Sequence, residues 1–232
     1  QTVTCNPQGR NIATWTAEAD IEDAQAYLVF EYVEGDTLAA ALGESLFGVG
    51  RSVDDFYFLY FAVGLGGSMV RNGEPMRGLY GNAGEIGHLP MVPDGQPCSC
   101  GNKGCLERYI SLEAYQRRAP AIGKAAWIKE AAPLLRNAIV TIENLFDPET
   151  VVIGGLMDDE LLCELAAAVE PLPTSVADRK QRLAPRIMRS ASGQDAVLRG
   201  AASLAFSGAL SPRLGHADSG EKDPLFARSR VA

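Results

Sequence analysis

The chain has 232 residues, 47% hydrophobic and 22% charged, with a net charge of −8. That length is enough to bury a real core, as one domain or two small ones, and the composition is that of an ordinary folded protein. The acidic balance argues against a nucleic-acid-binding surface on this portion, since phosphate binding needs clustered Lys and Arg, and no apolar run reaches the length of a membrane span.

In chain order, the start, QTVTCNPQGR, lacks the apolar core of a signal peptide. Residues 1–26 are expected to be irregular, with Trp15 the one large anchor. AYLVFEYV (26–33) is a continuous apolar and β-branched run, the mark of a buried strand. After Glu34-Gly35-Asp36, TLAAALGESLFG predicts a helix, with Asp36 at its N-cap and Gly48 at its stop. Asp36 then sits where a strand hands over to a helix, the usual rim position for sites in α/β folds. DFYFLYFAV (55–63) predicts a second buried strand. It runs into Gly64-Leu65-Gly66-Gly67-Ser68, with SMVRNGEPM as hairpin partner and Asn72-Gly73 offering the turn.

Beyond residue 110, Ser111 is a plausible cap for a helix over 111–118. Residues 124–146 repeat apolar side chains near the helical period, with Pro133 expected to kink or restart the helix and Asp147-Pro148 to stop it. TVVIGG (150–155) reads as a short buried strand ending in Gly154-Gly155, 158–169 as a helix, APRIMRS as a strand and 195–209 as a small-residue helix. The polar tail over 210–232 is expected to be disordered.

Three of the five cysteines and one of the two histidines fall between Gly84 and Glu107. His88, Cys98, Cys100 and Cys105 form the pattern H-x9-C-x-C-x4-C, and Cys3His is a standard closed zinc site. Pro97, Ser99, Gly101, Asn102 and Gly104 supply the sharp turns that a loop folded on a metal requires. With no ligand position left open, such a zinc is structural. Three buried thiols beside an unrelated histidine, or a disulfide, are the competing readings. Cys98 and Cys100 stand too close in sequence to pair comfortably, and thiol-rich spacing without a disulfide framework suits a reducing cytoplasm.

GEIGH followed by CxCGxxGCLE resembles the signature of the ROK family (repressor, open reading frame, kinase), and smaller echoes extend the resemblance from about Trp15 to Pro212. The resemblance implies an α/β lobe of the actin-like ATPase (ribonuclease H-like) fold with an inserted zinc-binding loop. It implies residues 27–209 as the sugar-binding and zinc lobe, with 1–26 an approach segment from an N-terminal lobe. The family's DxGxT-type phosphate loop and its repressors' winged helix-turn-helix find no match before Trp15.

Residue by residue, VEGDTLAAALGE resembles the family's VENDANAAALGE, whose Asp is the catalytic base that accepts a proton from the attacking sugar hydroxyl. Asp36 stands at that place, though a plain helix cap is the commonest fate of such an Asp. Gly35 and Leu38 replace two asparagines, the first a sugar ligand. The resemblance makes Glu85, His88 and Glu107 sugar contacts, with His88 binding zinc through its other nitrogen. Surface solvation is the ordinary alternative for both glutamates. Gly64, Gly66 and Gly67 resemble the phosphate motif GTGxGxG, with Val63 in place of its Thr, and Gly154-Gly155 resemble a glycine pair beside the nucleotide. Tight turns account for all five glycines as well.

Implied cofactors are a structural Zn2+ and, in a complete protein, ATP with Mg2+. Implied partners are a sugar or amino sugar, a second copy in a homodimer, and DNA only through an N-terminal helix-turn-helix. Gly35 and Val63 favour the effector lobe of a sugar-responsive regulator over part of an ATP-dependent sugar kinase. A lobe kept for dimerisation is the third expectation.

Overall fold

This computed structural model describes residues 34–177 and 182–210. The strand expected over 26–33 and the tail beyond 210 lie outside the described residues.

The sheet is built around β1 (Phe56–Phe61), every residue of which is buried. A strand of six large apolar side chains, FYFLYF, has no polar face to offer water, so both faces must be covered. Tyr57, Leu59 and Phe61 point into one apolar cluster, and Phe56, Phe58 and Tyr60 into the other. β2 (Leu65–Arg71) pairs antiparallel with β1 from Phe61↔Leu65 to Phe56↔Val70. β3 (Glu74–Pro75) continues the antiparallel edge. β4 (Thr150–Gly155) lies parallel to β1 on its other side, and β5 (Ile187–Arg189) parallel to β4, giving the order β3-β2-β1-β4-β5.

One face is covered by α1 (Glu34–Phe47) and α6 (Ala196–Leu210). The two helices cross through glycine: a Cβ at Gly43 would run into the Ala196 carbonyl, and one at Gly200 into the Ala39 carbonyl. Only a hydrogen in place of a side chain permits backbones this close. The small-residue helix therefore packs within the chain. Buried Glu44 adds a polar lock to this face. Its carboxylate accepts from the N–H of Val49 (2.9 Å), Ala191 (2.8 Å) and Ser192 (3.1 Å) and from the Ser190 hydroxyl (2.6 Å).

The other face is covered by α2 (Glu107–Ile110), α3 (Leu112–Ile122), α4 (Lys124–Phe146) and α5 (Asp159–Ala168). Ser111 caps α3, its hydroxyl accepting from the Ala114 N–H at 3.1 Å. Trp127 of α4 is buried edge-on against Tyr115, ring centroids 5.0 Å apart. Buried Glu143 binds the Arg186 guanidinium, with Nε donating at 2.8 Å, and ties α4 to the approach to β5.

Three expectations are corrected. α4 neither stops nor restarts at Pro133. Pro133 and Lys129, whose carbonyl loses its helical partner, both lie on the exposed side, where water can reach that carbonyl. Asp36 is not a cap: α1 is already helical at Glu34, which places Asp36 in its first turn. Gly66 and Gly67 are not loop residues but lie within β2, and Asn72-Gly73 joins β2 to β3, both residues at positive φ (51° and 77°).

Candidate functional site

The GEIGH segment is seated on β2 by its two glycines. A Cβ at Gly84 (φ 96°) would collide with the Gly67 carbonyl, and one at Gly87 with the Leu65 carbonyl. Two glycines three apart on a tight turn thus meet two positions two apart on a strand. The turn Ile86–His88 follows, with Ile86 and Gly87 buried. The outcome is that Glu85 and His88 face outward over a cavity of about 200 Å³.

Asp36, Glu85, His88 and Glu107 all line that cavity, although they come from α1, the GEIGH turn and the start of α2. Thr37, Leu38, Tyr60, Val63, Gly64, Gly66, Gly67 and Ser68 complete much of its wall. Gly154 and Gly155 lie outside the wall. A Cβ at Gly154 would run into Ser190, and one at Gly155 into the Phe61 carbonyl, which gives the pair a packing reason. Within the wall, Gly66 leaves room for the Thr37 side chain and Gly67 for the Tyr57 hydroxyl.

Burial raises the Asp36 carboxyl above its ordinary value, the state of a carboxylate poised to take a proton. Burial first, and the Asp36 charge second, push the Tyr60 hydroxyl up to about 12, so it remains a donor. The His88 ring faces two ways: Nδ1 lies 3.6 Å from Glu107 Oε1, and Nε2 lies 3.8 Å from Glu85 Oε2.

The Nδ1 side leads into the cysteine cluster. The ligand atoms of His88, Cys98, Cys100 and Cys105 all lie within 4.8 Å of one another. Cys100 Sγ and Cys105 Sγ are 3.6 Å apart, and Cys98 Sγ is 3.5 Å from His88 Nδ1. Zn–S bonds of about 2.3 Å in a tetrahedron give ligand separations of roughly 3.8 Å, so the donors already hold a tetrahedral spacing. The thiols are free, and 3.6 Å is far beyond a disulfide bond of about 2.05 Å. Burial pushes the Cys105 thiol up to about 12, while a backbone hydrogen bond from Asn102 brings Cys100 down to about 7. A dication is what would let three neighbouring sulfurs be thiolates together. The cluster can hold a metal ion, and its soft donors fit zinc.

Sequence alone did not single out Tyr60, Thr37 or Ser68 as wall residues. Only the β1–β2 register, which turns Tyr60 and Ser68 toward α1, reveals them.

Residues 1–207 match the pattern of the ROK family. The chain belongs to the ROK family. The ROK chain is 31% identical over 164 residues to a glucokinase of Streptomyces coelicolor, covering 55% of this chain and 52% of that protein. It is 33% identical over 158 residues to a xylose repressor of Caldicellulosiruptor bescii, covering 53% and 39%. A Streptomyces griseus ROK glucokinase solved with glucose and AMPPNP superposes with a TM-score of 0.64 at 29% identity, over 75% of this chain and 67% of that one. The chain spans about half the length, or less, of the curated relatives it matches. The fold is therefore the mixed α/β, actin-like ATPase lobe of ROK proteins. Both glucokinases and repressors stand among its relatives, and among the described residues no helix is long and apolar enough to cross a membrane.

Proposed function

We propose that this lobe binds a sugar in the cavity beside Asp36 and serves as the effector module of a cytoplasmic ROK transcriptional regulator. The observation that carries it is the convergence of Asp36, Glu85, His88 and Glu107 on one small cavity. Few, well-placed polar groups in a concave site are what recognise a polyol. Glu85, His88 and Glu107 bridge neighbouring sugar hydroxyls, and Asp36 accepts from the hydroxyl nearest α1. Zinc, held by His88 Nδ1 and the three sulfurs, supplies a rigid cross-link and no reactive position. With Nδ1 committed to the cluster, Nε2 is fixed toward the sugar.

Regulation follows from differential binding: sugar favours one state of a complete protein, and the DNA-binding equilibrium shifts with it. DNA contact belongs to a helix-turn-helix beyond this lobe, and a homodimer provides the two-fold symmetry an operator requires. Val63 favours the regulator, since it is 60% exposed at the cavity's edge and offers no hydroxyl to a phosphate.

Asp36 supports a second reading, an ATP-dependent sugar kinase in which it is the base. A half-buried carboxylate with a raised pKa is suited to taking the sugar's proton as it attacks a phosphoryl group. In that reading Gly64, Gly66 and Gly67 form part of the phosphate approach, with a preceding lobe supplying the rest of the ATP and Mg2+ cradle.

Sugar-dependent thermal stabilisation of the zinc-loaded protein tests both. Glucose, N-acetylglucosamine, N-acetylmannosamine, allose and fructose are compared, with and without ATP and Mg2+. A shift with one sugar alone supports the effector lobe, and an added ATP effect supports the kinase. No shift with any sugar refutes the pocket.

A further inference from the structure

The cavity contains a polar group that neither reading uses. Tyr60 is only 4% exposed, yet it lines the cavity. A tyrosine placed in this way gives its ring to the core and leaves its hydroxyl as the polar group that an occupant of the cavity can meet.

The sheet explains how the ring is held. Tyr60 pairs with Gly66 on β2 and with Gly154 on β4, so neither neighbouring strand position bears a side chain. Thr37 fills the space above Gly66, and Ser190 the space above Gly154. Phe58 packs on the same face, its ring centroid 6.1 Å from that of Tyr60. The slot is thus walled on both sides and backed by a second ring. A ring so confined presents its hydroxyl in one direction, in the cavity that Asp36 also lines and within reach of the Asp36 charge. Ser68, also in the wall and on the same sheet face, carries a buried hydroxyl without a partner.

We propose that Tyr60 contacts the ligand directly and sets its selectivity. Its hydroxyl donates to a sugar oxygen adjacent to the one held by Asp36. Asp36 offers a carboxylate acceptor and Tyr60 a phenolic donor, which distinguishes a sugar with two neighbouring hydroxyls from one lacking the second. The inference rests on the sugar-pocket reading above.

The test is calorimetric titration of the zinc-loaded protein and its Y60F and E85Q variants with glucose, N-acetylglucosamine and N-acetylmannosamine. For the sugar that wild type prefers, Y60F is expected to weaken binding roughly 5- to 10-fold, the usual worth of one hydrogen bond. Its preference among the three sugars narrows, while zinc content and unfolding midpoint stay at wild-type values. Sugar addition to wild type also perturbs the near-ultraviolet tyrosine band, and Y60F loses that difference, a second readout that wild type supplies by itself. If Y60F binds and discriminates as wild type while E85Q loses binding, the role of Tyr60 is refuted and the pocket stands. If E85Q also binds as wild type, or wild type binds none of the three, the pocket reading fails and this inference with it.

Discussion

Replacing Glu44 by alanine removes the acceptor of four donors at once: the N–H groups of Val49, Ala191 and Ser192 and the hydroxyl of Ser190. Each buried donor left unsatisfied costs about 1–3 kcal/mol. A water entering the vacated space can satisfy two or three of them, so the loss is less than the sum. About 3–5 kcal/mol is expected, the cost of the donors that remain unsatisfied. Glutamine keeps one acceptor oxygen for Val49 and Ala191 but turns an NH2 toward Ser192. Ser190 can rotate and accept, so one donor–donor conflict remains, at about 1–3 kcal/mol. At roughly 2–4 °C per kcal/mol for a domain of this size, E44A should unfold some 6–20 °C below wild type, with E44Q between them. Urea denaturation checks the free energies and calorimetry the temperatures. An E44A protein as stable as wild type, or an E44Q protein as damaged as E44A, would refute the polar lock.

Cys100→Ser should reduce bound zinc and lower the unfolding temperature, as measured by atomic absorption and calorimetry; unchanged zinc and stability would eliminate the metal site. Gly84→Ala should destabilise by at least 1–2 kcal/mol from its positive φ alone, with further loss from collision with the Gly67 carbonyl. Sugar affinity should fall with it, because the same turn carries Glu85. In a complete protein with kinase activity, Asp36→Asn should abolish turnover while largely sparing sugar binding in calorimetry. Burial raises the Asp36 carboxyl, so its basic form is lost as pH falls through a value above the ordinary 3.8. The acid limb of kcat/KM against pH should lie above that value, and a limb at or below it would remove Asp36 as the base.

Local chemistry was legible in the sequence wherever it needed no distant partner. Thr150–Gly155 came out as a strand with the expected bounds, because an unbroken apolar run has one stable use. Ser111 as a cap and Asp147 as a stop rest on side-chain and backbone rules that operate within a few residues. Gly66 and Gly67 were misjudged as loop residues because glycine usually punctuates. Here Thr37, Tyr57 and the Gly84 carbonyl occupy the space their side chains would need, which no window of sequence displays. Three of the four contacts that hold Glu44 come from a segment nearly 150 residues away, and α4 runs on through Pro133, which faces water. For the cavity, residue types and their motif order named Asp36, Glu85, His88 and Glu107. The β1–β2 register was needed to add Tyr60.

The two-sided position of His88 constrains how such a protein can diverge. Any replacement at 88 deletes a donor to the sulfur cluster and a cavity contact in the same step, and no single change elsewhere restores both. A shift in ligand preference therefore has its accessible routes at positions that border the cavity without holding the cluster, such as Leu38 and Val63, where a substitution alters the occupant's fit without unfastening the loop that carries the rest of the site.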